Sequence, residues 1–264
     1  MGSQGRMKTV PRPQTAGSER QRRLRDLPAF YALRPGEWRD YVTLLHPPYT
    51  LWHLSYVVLG AALAPTVRYD RLGATLLAFF LAVGIGAHAL DELADRPLKT
   101  RIPDRVLCAL AVLSLAGATA LGIVGVLLAS TWLLAFVAFG LFIVPAYNLG
   151  WLGGRFHSDF WFAMAWGAFP FLTAYWASAE ELAPAAAAGA VTCFALSLAQ
   201  RILSTRVRTI RREVEALEGT VTYADGRREA ISKKLALAAD ERALFLLAFT
   251  SEALSVSVLL LRVH

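Results

Sequence analysis

The side chains best equipped for chemistry lie between Gly84 and Arg105, where a long apolar run ends in the burst GIGAHALDELADRPLKTRIPDR. On a helix His88, Asp91, Glu92 and Asp95 stand at i, i+3, i+4 and i+7, so all four share one face. Ionisable groups in or near a bilayer are costly unless they pair, line a wet cavity or hold an ion, which makes this face a candidate site. The plainer alternative is a helix end running into the proline-containing loop 96–103, with Lys99, Arg101 and Arg105 beside it. A second polar face follows later, where Arg201, Ser204, Thr205, Arg208 and Arg212 fall on one side of a helix. Carboxylates at helical spacing suit Mg²⁺, which takes one or two carboxylates plus phosphate oxygens and waters. Arginines bind phosphate directly and bidentately. A phosphate or diphosphate group bridging the two faces would satisfy both, with an apolar tail lying between spans.

The elements that must position these faces are membrane helices. The chain has 264 residues, 56% of them hydrophobic, and a mean hydropathy of +0.44. That is too apolar for an ordinary soluble domain, and the class expected is an all-α, polytopic transmembrane helical bundle. Runs at about 51–65, 72–93, 106–128, 132–149, 157–177, 184–203 and 243–261 give about seven spans. Residues 1–40, rich in Arg, Pro, Gly and Ser, read as a flexible basic cytoplasmic arm that can lie on membrane lipid. The bundle then occupies 41–264, with a cytoplasmic helix and hairpin at about 204–232, Gly219 stopping the helix and Asp225-Gly226 turning the hairpin. The small-residue run APAAAAGA opening the sixth span suits close helix packing.

The formal net charge of +7 does not signal nucleic acid, because the cations cluster in the N-terminal arm and in alternate inter-span loops. That bias puts the N-terminus and both polar faces in the cytoplasm and His264 outside, in the cell inner membrane if the source is bacterial. Cys108 and Cys193 lie inside expected spans without metal-ligand spacing and read as small apolar residues.

The order of these elements resembles the UbiA superfamily of intramembrane prenyltransferases. A Pro-Pro-Tyr-Thr approach leads to a first span with Gly60-Ala61-Ala62, an acidic motif closes the second and is followed by Arg96-Pro97, and Tyr147-Asn148 ends the fourth. The family's second span ends in NDxxDxxxD; here the stretch 87–95 reads AHALDELAD, matching its last two aspartates at Asp91 and Asp95 and replacing the Asn-Asp pair by Ala87-His88. The family's second aspartate motif would fall near the end of the sixth span, where Arg201, Arg206 and Arg208 stand and no carboxylate occurs before Glu213.

The resemblance implies an enzyme that binds an isoprenyl diphosphate, helps diphosphate leave, and passes the allylic cation to a lipophilic or aromatic acceptor. Asp91 and Asp95 would hold one Mg²⁺ with Glu92 assisting, and Arg201, Arg206 and Arg208 would neutralise the leaving group in place of a second metal. Arg96, Lys99 and Arg101 would add to that clamp, Tyr147 and Asn148 would line the site, and His88 would steady a metal-bound carboxylate or act as a base. Arg155 and His157 lie on the same expected side and could line the site with Tyr147 and Asn148, although Tyr and His are also ordinary interface anchors. The aromatic cluster Trp161, Trp166, Phe169 and Phe171 suits either carbocation shielding or plain packing. Glu252 suits proton transfer or a helix-to-helix hydrogen bond. The alternatives are a terpene cyclase of the same type, and a non-catalytic lipid-phosphate carrier or partner subunit.

Overall fold

Prolines and hydroxyl caps set where the helices begin. Pro47 and Pro48 open one helix and Pro184 another, in the first turn where the missing N–H costs nothing, and Ser232 starts a third by accepting from Leu235 N at 3.2 Å. The computed structural model describes residues 27–263. The chain is mostly helical: α1 (Trp38–Leu44), α2 (Pro47–Leu63), α3 (Tyr69–Asp95), α4 (Asp104–Leu128), α5 (Leu133–Asn148), α6 (159–179), α7 (Pro184–Arg212) and α8 (Lys233–Leu260). Strands β1 (Thr220–Thr222) and β2 (Arg228–Ala230) form a small antiparallel hairpin with Thr220 opposite Ala230.

Four helices, α3, α4, α7 and α8, are long and apolar enough to cross a membrane, and the chain is an integral membrane protein on that basis. Of the other expected spans, α2 has 17 residues and α5 has 16, while α6 is interrupted by the π-helical stretch Met164–Ala168. α7 stops at Arg212 rather than at Gly219. A longer helix would place Glu213, Glu215 and Glu218 in its last turns, against the negative end of its dipole.

α2 is the central element, packed on α6 and α8, while α7 packs on α8 and on the first half of α6; α3, α4 and α5 form the other side. Small residues permit these approaches. A Cβ on Gly60 would collide with the Phe171 carbonyl oxygen, and one on Gly189 with the Phe171 ring, so α2 and α7 both close upon a single aromatic of α6. Ion pairs Arg206–Asp240 (3.2 Å) and Arg211–Glu241 (2.6 Å) join α7 to α8.

The segment expected to be a flexible arm to residue 40 is packed from Leu27 onward; the basic run 21–26 and the rest of 1–26 lie outside the described residues, as does His264. Ala29 and Ala32 bury against Leu98, and Arg211 and Arg212 donate to the carbonyls of Leu27 (3.1 Å) and Pro28 (3.3 Å). Buried Asp40 accepts from Gly36 N and from Arg101 N, tying this strap to loop 96–103. The strap roofs one end of the bundle.

Candidate functional site

Under that roof lies a cavity of about 100 Å³, walled by the strap, α2, the end of α3, the end of α5, the start of α6 and the polar half of α7. Two π-helical stretches prepare it. In α3 the π turn Phe80–Ala87 ends at His88, and in α6 the π turn Met164–Ala168 contains Trp166; such turns widen a helix and recur at functional sites. The polar residues they deliver meet Tyr31, His46, Tyr49, His53, Tyr147, Asn148, His157, Gln200, Arg201, Ser204, Arg208 and Arg212.

The histidines are oriented by backbone carbonyls. Nδ1 of His53 lies 2.8 Å from Trp166 O, that of His88 3.1 Å from Gly84 O, and that of His157 3.0 Å from Tyr147 O. A carbonyl only accepts, so each Nδ1 carries a proton, and in the tautomer this fixes the lone pair sits on Nε2. His46 differs: its Nδ1 pairs with the Tyr31 hydroxyl at 2.9 Å, and its ring stacks on His88 with centroids 4.0 Å apart and planes 12° apart. Burial, then the neighbouring His88, push the His46 imidazole well below its ordinary value, so it stays neutral. Burial, with Tyr49 adding to it, pushes the Tyr31 phenol well above its own.

Three buried polar atoms on the cavity wall lack a hydrogen-bond partner among the described residues: His46 Nε2, Tyr147 Oη and Gln200 Oε1. Native interiors rarely leave such atoms unmatched, which marks the cavity as built for a polar occupant. Its charge is lopsided, with three guanidinium groups against one carboxylate. Arg201 pairs with Asp159 at 3.0 Å and lies over the Phe162 ring at 5.5 Å. Arg208 touches Thr205 Oγ1 and Arg212 touches Pro28 O, but neither they nor Asp91 form a salt bridge among the described residues.

Of the residues expected from sequence, the structure brings His88, Asp91, Tyr147, Asn148, Arg201 and Arg208 to this cavity. Glu92 turns away and is fully buried: its carboxylate accepts from Leu98 N (2.9 Å), Thr100 N (2.8 Å) and Thr100 Oγ1 (2.9 Å), holding the loop after α3. Arg96 braces the same loop through Thr100 O, Ile102 O and Asp104. Asp95 and Lys99 are exposed, Arg101 joins Asp40 through its backbone, and Arg206 pairs with Asp240; none of them lines the cavity. The expected Mg²⁺ set of Asp91, Glu92 and Asp95 therefore does not assemble, and no group of three or more His, Cys, Asp and Glu among the described residues is arranged to hold a metal. One carboxylate amid imidazoles and guanidinium groups does not fit an ion that demands octahedral oxygen.

Sequence reasoning missed His46, His53, Gln200 and the strap's Tyr31. A signal existed for two of them, since His46, Tyr49 and His53 recur at i, i+3 and i+7. Of the aromatic cluster, Phe171 is plain packing, Trp161 packs on Phe156, and Trp166 and Phe169 line a second, apolar cavity of about 380 Å³ between α3, α4, α5 and α6. Trp166 belongs to both cavities, and the walls follow on successive turns: Val83 and Val144 line the apolar one, Ala87 and Tyr147 the polar one. Comparison with known protein families, curated proteins and solved structures finds no match to this chain.

Proposed function

We propose that the protein is an intramembrane enzyme of the prenyltransferase type, ionising an isoprenyl diphosphate and transferring the prenyl group to a lipophilic or aromatic acceptor. The observation that carries this is Trp166 as common wall of a cationic cavity and an apolar one, a pairing that suits a ligand with an anionic head and a hydrocarbon tail. About seven spans in a UbiA-like bundle, with the site on the cytoplasmic side, agree with the cation bias.

In this reading the bond between C1 and the diphosphate oxygen breaks with its electron pair leaving on diphosphate, and Arg201, Arg208 and Arg212 take up that charge. The allylic cation faces the rings of Phe162, Trp166 and Tyr147, which lie within 6.1 Å of one another by centroid. The acceptor bonds to C1, and its proton passes to the Nε2 lone pair of His88. The same aromatic wall favours a second reading, a cyclase in which an internal double bond captures the cation and the imidazole takes the resulting proton.

The test is incubation of the protein in nanodiscs with geranyl, farnesyl and geranylgeranyl diphosphates, following diphosphate release and organic products. Release that falls at least about 100-fold in Arg208→Ala is expected, the loss typical when one charge-stabilising donor is removed. A conjugate marks the transferase and a hydrocarbon or alcohol the cyclase. No release from folded protein at any chain length would overturn both in favour of a non-catalytic lipid-phosphate carrier.

A further inference from the structure

The disagreement between the expected metal ligands and the residues present has a chemical consequence. A carboxylate pair that binds Mg²⁺ must present free oxygens to one point, and here Glu92 spends both of its oxygens on loop 96–103 while Asp95 faces away from the cavity. What converges instead is Arg208 and Arg212, half-buried and without a carboxylate partner among the described residues, one turn apart on α7. Guanidinium groups partly withdrawn from water without a carboxylate beside them gain most from an anion. Tyr147, 5% exposed, offers on the same wall a hydroxyl donor with no acceptor among the described residues.

We infer that the cavity is a metal-independent phosphate site, in which Arg208, Arg212 and the Tyr147 hydroxyl hold a phosphate or diphosphate group directly and Asp91 opposes the anion rather than bridging to it through Mg²⁺. Arginine supplies in two planar forks the charge and donors that a metal would supply. Asp91 lowers the positive field of the pocket, which sets a limit on how tightly the anion is kept. This deepens the proposal above and rests on it only for the identity of the lipid.

Calorimetry on the full chain in nanodiscs tests it, with inorganic diphosphate, farnesyl diphosphate and farnesol as separate probes, each in EDTA and in Mg²⁺. Diphosphate binds in EDTA, and farnesyl diphosphate binds tighter than either fragment if the site serves the lipid head; equal affinity for inorganic and farnesyl diphosphate assigns the site to free anion while leaving its metal independence standing. Arg208→Ala and Arg212→Ala each weaken binding by about tenfold or more, the worth of a lost charge-assisted hydrogen bond. Asp91→Asn binds as well as the native chain or better, and Arg105→Ala, an exposed cation at the start of α4, changes nothing. Protection of the native protein against thermal unfolding by diphosphate in EDTA gives the same answer without any variant. Binding that needs Mg²⁺ and vanishes in Asp91→Asn overturns the inference while leaving prenyl transfer intact. Metal-free binding with no turnover of any prenyl diphosphate does the reverse.

Discussion

Glu92, expected to assist in holding Mg²⁺, anchors the loop after α3 instead. Its place at i+4 from His88 puts it on the polar flank of α3, and helical spacing says nothing of what stands opposite. What stands opposite is loop 96–103, whose Leu98 and Thr100 amides both donate to the Glu92 carboxylate. Replacing Glu92 by Ala orphans two buried N–H groups and a hydroxyl, which costs about 3 kcal/mol or more. The melting temperature of Glu92→Ala in detergent should fall by several degrees, with diphosphate affinity of the folded fraction kept. Asp91, one residue earlier, lies on a flank of α3 that lines the cavity. His46 and His53 were hidden because their neighbours are prolines and aromatics, which look like an interfacial approach rather than a wall of a site.

Helices were the most legible part, and their irregularities the least. Apolar runs marked every element from α2 to α8 to within a few residues at most ends, because burial in lipid or in the bundle demands them. The π stretches of α3 and α6 leave no such trace, since one extra residue per turn is a local choice that packing imposes. They matter for the site, as they set the rotation at which His88 and Trp166 emerge. Close helix approach was readable from small residues, though the partner was not. Gly60→Ala should destabilise the chain by about 1–3 kcal/mol, because the new methyl meets backbone that cannot step aside. Gly73→Ala on α3, where nothing lies within 4 Å of the added carbon, should be neutral or stabilising by up to about 1 kcal/mol. Thermal unfolding of the two variants side by side gives the comparison.

At the scale of the molecule, the bundle wears its hydrophobic residues outward. Leu113 is 71% exposed, Leu127 77% and Leu128 80%, all on α4, and little of that helix is buried inside the bundle. These faces need lipid. Native protein should stay with the membrane pellet after an alkaline carbonate wash, and Leu113→Arg, at a cost of about 3 kcal/mol if it sits near the bilayer centre, should shift a clear fraction to the soluble or degraded pool. The strap adds a last consequence. It is moored by its carbonyl oxygens at Leu27 and Pro28, while the mooring side chains, Arg211 and Arg212, belong to α7. Any residue at 27 or 28 supplies a carbonyl, so a saturation scan should find those two positions forgiving and the two arginines intolerant. The roof can drift in sequence among descendants of this chain and still be recognised by the helix that holds it.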